Sequence, residues 1–175
     1  MLPICGVIII GMITRIPQRG QTDCSICSVA MVMGHLYSYE RVLIDSLKYP
    51  KTSAIGYPHA WWEMYLADEG FLTTYRPFQE LYDLSQFGGR RVGLLVFMLP
   101  HIQFGHIVAV DELGVIDPAT GASPHMGITN YVRMQLRQGA VFDDMFLAVE
   151  NPGIPTLDFS FPIARMCPLT YKIVD

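Results

Sequence analysis

Five histidines, four cysteines and sixteen carboxylates give this 175-residue chain its potential for covalent chemistry. Two of the cysteines, Cys24 and Cys27, stand close together in QRGQTDCSIC at 18–27, directly ahead of an apolar segment. Their spacing admits a redox pair, half of a zinc site, or a nucleophile beside a packing residue. A zinc site needs a second close pair of Cys or His at ligand spacing, which the sequence lacks. A thioredoxin-like CxxC belongs after the first strand of a βαβ unit, and no such unit is visible. The third chemistry treats the two thiols differently. At a helix N-terminus the dipole and free N–H groups favour the reactive thiolate, and Cys24 has that position. One turn further in, Cys27 is a small buried hydrophobe.

A thiolate that attacks a carbonyl needs a proton carrier, a group to orient that carrier, and donors for the developing oxyanion. His106 follows Gly105 at the start of an apolar strand, where its side chain can emerge at a sheet edge. Asp117, at the end of the next strand, is its natural orienter. If Asp111 faces Gly114 across a two-residue turn, His106 lies opposite Ala119, and Asp117 is the diagonal neighbour on the same face. A one-residue slip would move Asp117 to the other face. Asp117 before Pro118 is also a good turn initiator, which accounts for DPATG without catalysis. The oxyanion donors would be the Cys24 backbone N–H and a glutamine amide, Gln18 or Gln21, from the preceding loop. The other histidines read as structural: His35 inside the apolar helix, His59 in the first turn of a helix, and His101 and His125 in loops with no obvious carboxylate partner.

The elements that must hold these groups are legible in the hydrophobic pattern. After Cys24, apolar residues through Tyr37 cover nearly every helical face, so this helix is central and buried, with Asp23 as N-cap and Gly34 as its weak point. A second helix is expected over 39–49, with Val42, Leu43 and Leu47 inward and Pro50 as its stop. A third runs over 58–69 and closes at Gly70. Trp61 and Trp62 are adjacent, so one is expected in the core and the other along a substrate groove. VGLLVFML at 92–99 is a buried strand, and HIVAVD at 106–111 with GVID at 114–117 form a hairpin. A helix over 129–138, capped by Thr129 and ended by Gly139, and strands over 141–149 and 169–174 complete the list. Helices first and strands later is an α+β order.

Composition narrows the function. Half the residues are hydrophobic and 16% charged, so the chain builds a core, and it reads as one domain over 1–175. A net charge of −4 with no basic run argues against nucleic acid. The uncharged stretch at 2–13 is too short to span a bilayer, lacks the positive region of a secretory signal, and reads as a buried strand. The sparse cysteines, Cys5 and Cys167 being the other two, point to a reducing, cytoplasmic compartment.

Gln18-x5-Cys24 at the head of a buried helix, then His106, then Asp117, resembles the papain-like cysteine peptidases in residue type and order. DCSICSVAMVMGHLYSYERVL with Gln18 ahead of it, followed by GHIVAVDELGVIDPATG, is similar to the bacteriocin-processing peptidase family, which cuts leader peptides after a double glycine. The likeness covers residues 15–121, with Gly56 and EGF at 69–71 as further landmarks. It implies a papain-like fold with an N-terminal helical half and a C-terminal bent antiparallel sheet. It also implies Cys24 as nucleophile, His106 as general base and acid, Asp117 as orienter and Gln18 as oxyanion donor. Ser25 stands where that family commonly has glycine, and the double-glycine leader is not carried over. The DCS tripeptide also resembles the NlpC-type cell-wall peptidases, which lack the leading glutamine. The expected function is therefore a thiol hydrolase that cleaves a peptide or isopeptide amide through an acyl-enzyme, with a peptide or protein substrate and neither cofactor nor metal. Deamidation and acyl transfer use the same groups. The rival readings are a catalytically silent module on the same fold and a cysteine redox switch.

Overall fold

The computed structural model describes residues 13–34, 36–49, 59–81, 92–99, 104–111, 113–120, 125–142 and 145–150. The expected strands at 2–13 and 169–174, and His35, His101, Cys5, Cys167 and Gly56, lie outside them, apart from Ile13, which is buried. The chain order is α1 (Cys24–Met33), α2 (Tyr39–Ser46), α3 (His59–Asp68), β1 (Leu72–Pro77), a 3-10 turn (Phe78–Leu81), β2 (Val92–Leu99), β3 (Phe104–Asp111), β4 (Gly114–Ile116), α4 (Ile128–Arg137) and β5 (Met145–Glu150). Among the described residues no helix is long and apolar enough to cross a membrane.

The strands form an antiparallel sheet in the order β1-β5-β2-β3-β4. Its central strands are continuously apolar because both faces are covered. Leu94, Ile107, Ala109, Ile116, Leu147 and Val149 pack with α1, α2 and α3 on one face. Leu95, Phe97, Val108, Val110 and Phe146 pack with α4 and the 3-10 turn on the other. The result is an α+β architecture of helices on both sides of an antiparallel sheet.

Several expectations about the helices are corrected. α1 ends at Met33, where Gly34 takes φ +90° with ψ −170°, a conformation open to glycine that carries the chain out of the helix. α2 stops at Ser46, which leaves Leu47 exposed instead of inward. Both Trp61 and Trp62 are buried, so neither is left over for a groove. Neighbouring helical residues are about 100° apart, and the inward stripe of Trp61, Trp62, Tyr65 and Leu66 spans about 140°, wide enough for both indoles. α4 starts at Ile128 with Gly127, in extended backbone, at the cap position, so Thr129 falls inside the first turn. β1 was not foreseen, and the expected strand over 141–149 divides into a single bridge from Val141 to Met98 and β5 proper.

Candidate active site

α1 lies along β3 and runs in the same direction. Cys24 and Ser28, one turn apart, share the helix face that meets the strand. The Cys24 sulfur is 4.0 Å from the Gly105 carbonyl oxygen, and Ser28 Oγ donates to the Ile107 carbonyl at 3.0 Å. Four helical residues and two strand residues cover nearly the same length, about 6 Å in each case, so both contacts form together. The buried hydroxyl thus fixes how far along β3 the head of the helix sits.

Across the hairpin, Asp111 pairs with Gly114, Val110 with Val115 and Ala109 with Ile116, the register expected for a two-residue turn, although β4 ends at Ile116 and leaves Asp117 just beyond the strand. Asp111 itself secures this turn, its Oδ1 accepting from the N–H groups of Leu113 (2.9 Å) and Gly114 (3.2 Å). Gly114 has φ +141°, and a Cβ there would stand 2.4 Å from the Met126 carbonyl oxygen. With the register so fixed, His106 Nε2 lies 3.0 Å from Asp117 Oδ1. Nδ1 is then the ring nitrogen left for another partner, and the Cys24 sulfur lies against the carbonyl of the preceding residue, Gly105, at 4.0 Å. Burial alone would lower the His106 pKa, but Asp117 and Cys24 outweigh it and raise it to about 9.

Asp117 is enclosed by donors. Besides His106, its Oδ1 accepts from Ala119 N–H at 2.8 Å, and its Oδ2 accepts from the Tyr131 hydroxyl at 2.6 Å. Burial pushes the carboxyl pKa upward, yet the bond and charge of His106, with Tyr131 and Ala119, hold it below the ordinary range. Tyr131 in turn accepts from Gln135 Nε2 at 2.9 Å. Neither Tyr131 nor Gln135 was singled out from the sequence. The available signal was a Tyr and a Gln one turn apart on the inward face of an amphipathic helix.

The loop before α1 is tied to the segment after Asp117. Gln18 N–H donates to the Pro118 carbonyl at 2.9 Å. Arg15 spreads its guanidinium over the carbonyls of Asp117 (3.3 Å), Pro118 (3.1 Å) and Thr120. Gln18 Nε2 donates to Gly20 O at 2.6 Å, while its Oε1 is buried with no partner among the described residues. Turning the amide over would set two oxygens against each other, so the nitrogen belongs at Gly20 with its second N–H left over. Gln21 is exposed.

Asp23 stands at the N-cap position but does not cap α1 with its side chain. Its backbone is not extended, and the carboxylate turns back to the loop, where Oδ2 accepts from Arg19 N–H (3.1 Å), Gly20 N–H (3.0 Å) and the Tyr39 hydroxyl (2.8 Å). Cys27 is fully buried with its thiol 3.7 Å from the Pro17 carbonyl, and burial, then the charges of Asp23 and Cys24, push its pKa up to about 12. Such a thiol is a poor nucleophile and a poor redox partner at neutral pH. His125 does have a carboxylate partner, against expectation: its Nε2 is 3.2 Å from Asp111 Oδ2, at the turn.

No protein-family model and no curated protein matches the chain. A solved structure does: the peptidase domain of Streptococcus ComA, described as a bi-functional ABC transporter involved in a quorum-sensing pathway. The two share 18% identity at a TM-score of 0.54, over 80% of this chain and 99% of the ComA domain. The fold is similar to that of a peptidase domain. At this identity the likeness concerns the fold, and the chemistry must be argued from the side chains.

Proposed function

We propose that this chain is a papain-like thiol hydrolase acting on a peptide or isopeptide amide. The observation that carries the reading is His106, bonded through Nε2 to Asp117, on the strand whose Gly105 carbonyl lies against the Cys24 sulfur at the head of a buried helix. In this reading His106 Nδ1 already holds the proton taken from the Cys24 thiol, an imidazolium that Asp117 favours, and the sulfur attacks the substrate carbonyl carbon. The Cys24 backbone N–H, one of the unpaired donors of the first helical turn, and the second N–H of Gln18 Nε2 receive the oxyanion. His106 then protonates the leaving amine, and water, deprotonated by the same ring, releases the acyl group from sulfur. Asp117 fixes the ring's tautomer and stabilises the imidazolium. The fold shared with the ComA peptidase domain supports a peptide as the substrate.

The test is alkylation of Cys24 by iodoacetamide across pH, in the native protein and in His106→Ala. Because Cys24 is buried, the comparison between variants carries more weight than the absolute rate. The expected result is alkylation that persists to neutral pH and below in the native protein, and that shifts in the variant to the alkaline profile of an ordinary thiol. An ordinary profile in both proteins overturns the reading and leaves a silent module. A reversible bond between Cys24 and Cys27 would favour the redox switch instead.

A further inference from the structure

We infer that Tyr131 and Gln135 form a relay that positions Asp117 for His106, so that α4, which contributes none of the reacting groups, controls the orienting carboxylate. The inference rests on the thiol-hydrolase reading for its catalytic meaning. Its hydrogen-bond logic stands on geometry alone.

A tyrosine hydroxyl has one proton to give. Two groups face that of Tyr131: Asp117 Oδ2 at 2.6 Å and the Gln135 side-chain amide at 2.9 Å. With the amide nitrogen toward Tyr131, Gln135 donates to the phenol oxygen and the phenol proton is directed at Asp117. The opposite amide orientation would leave two acceptors competing for one proton, and the charged one, Asp117, is the stronger. Burial and the charge of Asp117 raise the Tyr131 pKa far above the ordinary range, which keeps the proton on the phenol as a donor. All three groups are buried, so water does not compete for these bonds, and each strengthens the next.

The consequence for the site is geometric. Asp117 Oδ1 serves His106 and Ala119 N–H, and Tyr131 holds the opposite oxygen. Pinned at both oxygens, the carboxylate cannot rotate, so it meets the imidazole with the same oxygen throughout the reaction. Tyr131 does not touch the reacting atoms and is a positioning residue.

Tyr131→Phe removes one hydroxyl and keeps the ring, which packs edge-on against Phe97 with centroids 5.6 Å apart. Gln135→Met removes the second donor at similar volume. Both variants, and the double variant, are to be followed by the Asp117 carboxyl titration (carbon NMR) and by Cys24 alkylation with iodoacetamide. In Tyr131→Phe the Asp117 midpoint rises and alkylation at neutral pH slows about tenfold, the rate equivalent of one hydrogen bond to a charged group. Gln135→Met gives a smaller change in the same direction, and the double variant is no worse than Tyr131→Phe, because Gln135 acts only through the phenol. An unmoved Asp117 midpoint in Tyr131→Phe overturns the inference, as does additivity of the two substitutions or a loss confined to thermal stability. If His106→Ala leaves alkylation unchanged, the thiol-hydrolase reading fails by itself, and the titration still decides whether the relay exists.

Discussion

His106 and Asp117 hold each other in charged forms inside a largely apolar setting, and that makes the stability of the protein depend on pH in a definite way. The His106 pKa rises from 6.5 to about 9 on folding, so its contribution is complete below about 6.5 and is lost as pH rises through about 9. The Asp117 pKa falls below 3.8, so its contribution is complete above the unfolded value and is lost as pH drops through the folded one. Urea midpoints measured across pH should therefore form a plateau in the mildly acidic range and decline from near neutrality to pH 9. In His106→Ala the alkaline decline should be smaller; an equal decline would mean that the ring does not titrate with folding. Cys27, raised from 9.0 to about 12 on folding, should add to the alkaline decline only from about pH 9 upward and contribute nothing to the acid limb.

The hairpin of β3 and β4 converts a turn into the distance between His106 and Asp117, and its glycine tests this. Gly114→Ala combines a disfavoured positive φ with a Cβ 2.4 Å from the Met126 carbonyl oxygen. Gly34 also has positive φ, at +90°, but a Cβ there meets nothing within 4 Å. Gly34→Ala should cost about 2 kcal/mol, the backbone strain alone. Gly114→Ala should cost more than that by urea denaturation and should slow Cys24 alkylation, since the Val115–Met126 bridge must part. Equal costs would show that the close approach relaxes freely. The turn and register of this hairpin were legible in the sequence because the period-2 pattern and turn residues are local signals, whereas its strand ends were not: β3 begins at Phe104 and β4 ends at Ile116. β2 was legible for a related reason, since a strand covered on both faces has no polar interruptions. β1 escaped because LTTYRP is a half-exposed edge whose partner, β5, lies about seventy residues away in the chain. The helix ends at Met33 and Ser46 escaped too, because apolar residues continue past them although the backbone does not.

In the fold as a whole, the groups of the site come from opposite sides of the sheet: Cys24 from the helices packed on one face, and the hydrogen-bonded chain of Asp117, Tyr131 and Gln135 from the side that α4 covers. This assembly explains what the sequence could not reveal. Cys24, His106 and Asp117 have recognisable types and order, whereas Tyr131, Gln135 and Arg15 acquire meaning only once distant segments meet. Arg15 joins the two parts by holding the 117–120 segment against the loop that leads to Cys24. Arg15→Met keeps the aliphatic stem and removes the donors. It should lower the Cys24 alkylation rate at neutral pH severalfold while costing no more than about 2 kcal/mol in urea midpoint, a loss of function exceeding the loss of fold. Proportionate losses in both would reduce Arg15 to an ordinary anchor.

Arg15, Gln18 N–H and the Ala119 N–H bond together grip this segment almost wholly by its main chain. A grip of that kind is indifferent to side-chain identity. Ala119, which is exposed, and Thr120 can therefore be exchanged through mutation while the path of the backbone stays the same. The segment beside the Asp117 carboxylate is a place where the protein can diversify its outward chemistry without disturbing the hydrogen bonds beneath.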